Sequence, residues 1–130
     1  MAQRRSIYAG GQGHGAHPIP AASIKGGFLA SSAVYGSPPR PVQALELDLQ
    51  CRNLFANIEE ILRNAGGTLD DVIHVAIRLA DPSDRQALNE HWLHAFPDPT
   101  SRPARHVDPE PMTVGARLVS AEFLAVIEEN

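Results

Sequence analysis

The sequence predicts an α+β fold in which two helices cover one side of a sheet. Two segments carry apolar residues at the three- and four-residue spacing of an amphipathic helix. Two other segments alternate apolar and polar residues, as half-buried strands do. The elements follow one another as β-β-α-β-α-β, with one more short strand expected near the N-terminus, and this order is typical of helices packed on a sheet.

The length and charge of the chain limit what it can be. Its 130 residues suit a single domain, which we expect to span 1–130 with an irregular N-terminal segment over 1–16. The net charge of −4 does not favour binding to a nucleic-acid backbone. The chain opens without an apolar export segment, and no stretch approaches the roughly 20 apolar residues of a membrane span. We therefore expect a cytoplasmic protein that binds a small molecule or another protein.

The N-terminal third predicts short strands. Ser6–Ala9 is expected to form at most an edge strand. Ala22–Lys25 and Phe28–Val34 are expected to form a hairpin, because the two glycines between them supply the positive φ angles of a tight turn. Gly36–Pro41 is rich in proline and is predicted to be a loop.

The first helix is predicted over Glu46–Ala65, followed by Gly66 as its left-handed C-terminal cap. Cys51 lies on the apolar face and is the only cysteine, so no disulfide can form within the chain. We interpret it as a small buried hydrophobe rather than a reactive thiol. The predicted apolar face consists of Leu47, Cys51, Leu54, Phe55, Ile58, Ile61, Leu62 and Ala65.

The middle of the chain predicts a strand and the second helix. Val72–Leu79 alternates, with His74 and Arg78 on the face opposite to the core. The helix is expected to begin at Ser83, because Gln86 stands at the spacing of a capping box, and to end by Phe96, before three prolines. The core face of the strand is predicted to consist of Ile73, Val75, Ile77 and Leu79.

The C-terminal third predicts a short strand over Arg105–Val107 and a long final strand over Arg117–Ile127. Ser120 and Glu122 lie on the face of the final strand opposite to its apolar residues. That face is neither consistently polar nor consistently apolar, and the chain has no further element to cover it, so we expect self-association. The predicted apolar residues are Val119, Ala121, Phe123, Ala125 and Ile127.

Four segments together resemble the RidA (YjgF/L-PSP) family of enamine and imine deaminases, over roughly residues 17–127. They are HPIPAASIKGGFLASS, the run QCRNLFANIEEILRNAGGTLDDVIHVAIRLAD, ALNEHW and SRPARHV. The resemblance implies a chorismate-mutase-like fold, with a mostly antiparallel sheet of five to six strands and two helices on one face. It also implies a homotrimer with a central barrel and a ligand cleft at each subunit boundary.

The resemblance also implies site residues. Arg105 matches the arginine of the family's PAR motif, which binds the carboxylate of 2-imino or 2-enamino acids, as a planar guanidinium can do with two parallel hydrogen bonds. Ser31 and Asn89 match a family serine and asparagine and are expected to contribute to substrate binding. Many deaminating members carry a glutamate fifteen residues after the arginine. Ser120 stands there in this chain, and Glu122 is displaced from it by roughly 6–7 Å along the strand.

Two further family positions differ, so the natural substrate does not follow from the resemblance. The tyrosine near the N-terminal strand is replaced within HPIPAA, and the cysteine two residues after the arginine is Val107. The resemblance implies a hydrolase like the 2-iminobutanoate/2-iminopropanoate deaminases, without metal or organic cofactor, in which Ser120 or Glu122 assists proton transfer. The alternative is a non-catalytic trimer that binds small carboxylates. A ribonuclease fits this acidic chain poorly.

Other polar groups favour structural interpretations. His91 and His94 are one helical turn apart, and His14 and His17 are also close in sequence, but no third metal ligand is evident. We interpret them as surface histidines. His74 and Arg78 are expected to join an ion-pair network with Ser120 or Glu122 of the same or a neighbouring subunit. The GGQGHG segment has no helix after it and no lysine, so we do not predict a phosphate loop.

Overall fold

The computed structural model describes residues 3–9, 17–38, 43, 45–110 and 117–128, and these form one mixed sheet with two α-helices. The elements are β1 (Arg5–Ile7), β2 (Ala22–Lys25), β3 (Phe28–Ser31), β4 (Val34–Tyr35), α1 (Leu47–Ala65), β5 (Val72–Leu79), α2 (Arg85–Ala95), β6 (Ala104–Pro109) and β7 (Val119–Val126). The sheet order is β1-β2-β3-β7-β5-β6, and β4 also pairs with β7. Every pair is antiparallel except β5 with β6. This architecture confirms the predicted α+β class.

Strand β7 lies at the centre of the fold, because it pairs with β3, β4 and β5. Its predicted apolar residues are all buried, as are most apolar residues of α1, and together they form the core between the sheet and the helices. Gly66 ends α1 with a φ of 90°, in the left-handed region expected of it. The opposite face of the sheet, which we call the open face, carries neither helix.

Cys51 lies inside this core, as predicted. Burial, aided by the negative charges of Asp48 and Asp84, raises the pKa of its thiol to about 12. A thiol with so high a pKa is almost entirely protonated at neutral pH and is therefore a poor nucleophile. The structural interpretation of this residue is consistent with its surroundings.

The prediction for Ile73 is wrong. Strand β5 has a register irregularity between Val72 and His74, so the alternation of its side chains slips by one position there. Val72 is buried, whereas Ile73 is 47% exposed. From Val75 onward the predicted core residues are buried, and His74 and Arg78 lie on the open face.

The predicted start of the second helix is also wrong. Ser83 lies within a 3₁₀ turn over Pro82–Asp84, and α2 begins only at Arg85. The N-terminal cap of this 3₁₀ turn is Asp81, whose carboxylate accepts hydrogen bonds from both the backbone N–H and the hydroxyl of Ser83. Aspartate is as good a cap as serine and accepts with a full charge, and Pro82 suits the first position of a turn.

The sheet contains two very short strands, β1 and β4, in addition to its longer strands. The predicted strand Phe28–Val34 divides in two, because the five residues from Ala30 to Val34 face only four residues on β7, Leu124 to Ala121. The side chains of Asn53 and Asn57 on α1 donate hydrogen bonds to the carbonyls of Gly36 and Tyr35 beside the short β4. With β1, which begins one residue before the predicted Ser6, the sheet reaches seven strands instead of five or six. The GGQGHG segment and 39–41 of the predicted loop lie outside the described residues.

The β2–β3 turn provides a test of the fold with a matched control. Gly26 and Gly27 have φ angles of 58° and 80°, as the predicted turn requires. A Cβ on Gly26 would meet nothing within 4 Å, whereas one on Gly27 would lie 2.5 Å from the carbonyl oxygen of Ile127. We expect Gly26→Ala to cost about 1 kcal/mol of unfolding free energy. Gly27→Ala is expected to cost about 2 kcal/mol more, because the clash adds to the strain. Equal losses in urea denaturation would contradict this geometry.

Candidate ligand site

Arg105 lies on the edge strand β6, and its side chain is on the face of the sheet that the helices cover. Its register partner is Val75, a core residue, and Val107 two residues later packs against the same core. The guanidinium carbon lies 5.0 Å from the centre of the Trp92 ring on α2. This distance is that of a cation–π contact, which holds the guanidinium against an aromatic surface.

One nitrogen of Arg105, Nη1, is buried and has no hydrogen-bond partner among the described residues. Desolvation, followed by the positive charge of Arg85, lowers the pKa of Arg105. A buried donor without a partner is costly, and a cation without a counter-anion more so. The site is therefore ready to accept an anionic group, and a carboxylate would supply both the charge and the acceptor atoms.

Trp92 is fixed in place by an aromatic cluster. Its ring lies 4.7 Å from that of Phe96 and 6.4 Å from that of Phe55, centre to centre. At its position in the sequence of α2, a tryptophan indicates no more than a buried apolar residue of the helix. Its role beneath Arg105 depends on how α2 packs against β6, which no periodicity in either segment encodes.

Asn89 is half-buried on α2, three residues before Trp92 and four after Arg85. Residues at these spacings lie on the same side of a helix. The fold thus places Asn89 on the side of α2 that carries the platform for Arg105. This position is compatible with the binding role implied by the resemblance.

Ser31 lies where β3 ends, and its hydroxyl oxygen accepts a hydrogen bond from the backbone N–H of Phe123 at 2.9 Å. This bond satisfies a backbone donor of β7 at the break between β3 and β4. Ser31 therefore has a structural role in the sheet. Its hydroxyl group can still donate its own proton to a ligand.

Ser120 and Glu122 lie on the open face, opposite to Arg105. Ser120 is 4% exposed and stands in register between Tyr35 of β4 and Arg78 of β5. Glu122 accepts a hydrogen bond of 2.8 Å from Arg78. Because the sheet separates the two groups, one subunit does not bring Ser120 or Glu122 together with Arg105.

Arg78 is the centre of an ion-pair network on the open face, as predicted, and the network forms within the subunit. Its Nε lies 3.0 Å from a carboxylate oxygen of Glu110, and its Nη1 bonds Glu122. The hydrogen bond to Glu122 raises the pKa of Arg78. His74 lies on the same face, in register between Leu124 and Ala104.

The other described histidines are exposed or contact carboxylates. His91 on α2 contacts Asp48 on α1 at 2.7 Å, which links the two helices, while His94 and His17 are exposed. His14 lies outside the described residues. His106 points to the open face, opposite to Arg105, and contacts Asp108. Within the part of the chain that the structure describes, no three His, Cys, Asp or Glu residues form a group that could hold a metal ion.

Comparison with known proteins places the chain in a family. Residues 20–125 match the family described as Endoribonuclease L-PSP. The chain belongs to this family, which is the one that the RidA resemblance indicated. RutC family protein PH0854 of Pyrococcus horikoshii is 33% identical over 90 residues, which are 68% of this chain and 70% of that protein.

The family contains a named deaminase. The 3-aminoacrylate deaminase RutC of Acinetobacter baylyi is 42% identical over 57 residues, which are 44% of either chain. The mitochondrial protein mmf1 of Schizosaccharomyces pombe is 39% identical over 56 residues, 43% of this chain and 33% of mmf1. The chain thus matches less than half the length of these two relatives. Since mmf1 is mitochondrial, the cytoplasmic location stays a prediction.

Solved structures share the fold over nearly the whole chain. RidA from the Antarctic bacterium Psychrobacter superimposes with a TM-score of 0.81 at 25% identity, covering 95% of this chain and 99% of RidA. Rv2704 of Mycobacterium tuberculosis, a YjgF/YER057c/UK114 family member, gives a TM-score of 0.82 at 24% identity, covering 96% of this chain and 100% of Rv2704.

No helix among the described residues is long and apolar enough to cross a membrane.

The unpaired state of Arg105 generates a stability prediction. Arg105→Met keeps an unbranched side chain over Trp92 but removes the desolvated charge near Arg85. We expect it to raise the unfolding free energy of the ligand-free protein by about 0.5–1 kcal/mol, a modest gain because the side chain is partly exposed. Thermal denaturation would check this, with the exposed Arg52→Met on α1 as control. A clear loss of stability for Arg105→Met alone would show that Arg105 already has a structural partner.

Proposed function

We propose that the protein hydrolyses 2-imino or 2-enamino acids to 2-oxoacids and ammonia, in clefts between the subunits of a homotrimer. The buried, unpartnered Nη1 of Arg105 is the observation that carries this proposal. In this proposal Arg105 grips the substrate carboxylate, Trp92 holds the guanidinium flat, and Asn89 and Ser31 contribute to binding. Membership of a family that includes a 3-aminoacrylate deaminase supports the reaction class.

The position of the two sets of residues supports an inter-subunit cleft. Arg105 and Asn89 lie at the helix side of the edge strand β6, whereas Ser120 and Glu122 lie on the open face. A single substrate can reach both sets only if the open face of one subunit meets the β6 edge of another. Apolar side chains on the open face favour such contact, since Phe28 and its register partner Val126 are 49% and 44% exposed.

The proposed chemistry needs only water as co-reactant. Water adds across the carbon–nitrogen double bond, its hydroxyl group going to the carbon and one proton to the nitrogen. The proton of that hydroxyl group then also passes to the nitrogen, and the carbon–nitrogen bond breaks to leave a carbonyl group and ammonia. Glu122 suits the task of accepting a proton from water, because it is a carboxylate on the open face that its hydrogen bond with Arg78 holds in position. Ser120 is neutral and buried, so it suits a hydrogen bond to water rather than the role of base.

A trimeric binding protein for small carboxylates is the second candidate. It is favoured by the serine at the family's glutamate position and by the engagement of Glu122 with Arg78, which restrains its movement. In that case Arg105 captures a carboxylate without turnover. The single-domain organisation over 1–130 is part of both proposals.

The test couples an amino-acid oxidase to the protein and follows the decay of freshly formed imino acid. We expect the wild type to accelerate decay and Arg105→Ala to reduce kcat/KM by about a hundredfold, because a charge-assisted bidentate contact is lost. Arg52→Ala, which removes an exposed arginine from α1, is the matched control and should retain full activity.

Two results would separate the candidates. Carboxylates that stabilise the protein against heat through Arg105, with no acceleration of imine decay for any amino acid, would leave the binding protein and contradict the hydrolase. Equal activity of wild type and Arg105→Ala would contradict the role of Arg105 in catalysis. Salt-sensitive cleavage of RNA, without either effect, would instead favour the activity in the family's name.

A further inference from the structure

Arg85 provides a second cation near Arg105. It is the first residue of α2, it is exposed, and its Nη2 lies 3.4 Å from the carbonyl oxygen of Val107 on β6. Val107 follows Arg105 by two residues on the same face of the strand, so the two backbone positions are roughly 6–7 Å apart. The two guanidinium groups therefore lie along the same edge of the sheet.

Neither guanidinium forms an ion pair with any acidic residue that the structure describes. The nearby Asp81 accepts the two bonds from Ser83, and Asp108 contacts His106 on the open face. Arg85 and Arg105 also interact electrostatically, because the charge of Arg85 contributes to the lowered pKa of Arg105. Two like charges without an anion between them repel each other, and this repulsion costs stability.

We propose that Arg85 and Arg105 form a two-cation site that selects substrates carrying a second carboxylate. The inference rests on the proposed function, and it narrows the substrate class to imines of 2-oxo dicarboxylic acids, such as those formed by oxidation of aspartate or glutamate. Arg105 holds the carboxylate next to the imine carbon, and Arg85 holds the distal one. A ligand with two anionic groups would relieve the repulsion that a single carboxylate relieves only in part.

The second carboxylate takes no part in the reaction. Water still adds to the imine carbon, the carbon–nitrogen bond still breaks, and ammonia leaves with both protons of the water. Arg85 is therefore a specificity-determining residue. The alternative to this role is a structural one. The hydrogen bond from Arg85 to the carbonyl of Val107 is long, and Arg85 would then only cover the exposed edge of β6.

The variants Arg85→Gln and Arg85→Lys separate these roles. Glutamine can still donate a hydrogen bond to Val107 but carries no charge, whereas lysine keeps the charge. We measure kcat/KM on imines made from aspartate or glutamate and, for comparison, from alanine or 2-aminobutyrate. We expect the wild type to prefer the dicarboxylic imines, and Arg85→Gln to lower kcat/KM for them about tenfold. The monocarboxylic imines should change less than twofold, and Arg85→Lys should retain most of the preference.

A second readout does not depend on turnover. The stable 2-oxoglutarate should raise the melting temperature of the wild type more than 2-oxobutyrate does, and Arg85→Gln should abolish that difference. If imines are hydrolysed through Arg105 but Arg85→Gln changes both substrate classes equally, the two-cation site is wrong and the proposed function stands. If no imine is hydrolysed but the difference in melting temperature depends on Arg85, the hydrolase is wrong and the two-cation site stands.

Discussion

The burial of every second side chain of β7 is the constraint on which the rest of the structure depends. This strand is paired with β3, β4 and β5, and its alternate residues fill the core beneath α1. Because strand side chains alternate strictly, the burial of Phe123 and Ala121 forces Ser120 and Glu122 onto the open face. Residues paired across neighbouring strands point to the same face of the sheet. Phe123 on β7 is paired with Val75 on β5, and Val75 with Arg105 on β6, so Arg105 also lies on the face that α2 covers.

This division explains why the polar groups form two separate sets. On the open face, Arg78 gathers Glu110 and Glu122 into a satisfied network. At the helix side of β6, Arg105 and Arg85 form no ion pairs with the described residues, and Arg105 lies over the ring of Trp92 in the aromatic cluster. The charged groups of the first set pair with one another, whereas Nη1 of Arg105 in the second set has no hydrogen-bond partner among the described residues. Unsatisfied buried donors in native proteins are commonly part of a functional site. The proposed substrate supplies that partner.

Periodicity predicted the long elements well. The nineteen residues of α1 and the apolar face of β7 follow patterns that are repeated enough to outweigh local exceptions. Ile73 failed because a bulge adds a residue without changing the local composition, so the alternation before it cannot be extended backward. Ser83 failed because Asp81, two residues earlier, offers an equally good cap and takes the hydroxyl of Ser83 as its own donor.

The candidate site was predictable only in part. Arg105 was implied by the PAR resemblance, whereas its face of the sheet is known only from the pairing of β6 with β5. Trp92 and Arg85 could not be associated with it, because their nearness depends on how α2 lies across β6 rather than on any spacing in the sequence. The one available signal was that Arg85, Asn89 and Trp92 share one side of a helix.

The most direct test of the account asks whether one cleft draws on two subunits. Arg105→Ala and the double variant Ser120→Ala/Glu122→Gln are purified separately, and each is expected to be inactive on imines. When equal amounts are unfolded and refolded together, a cyclic trimer places an intact Arg105 beside an intact open face in about a quarter of its clefts. A cleft shared between two subunits predicts recovery of about a quarter of wild-type activity. A mixture that remains inactive, although it assembles into mixed trimers, would contradict it, as would full activity of the double variant alone.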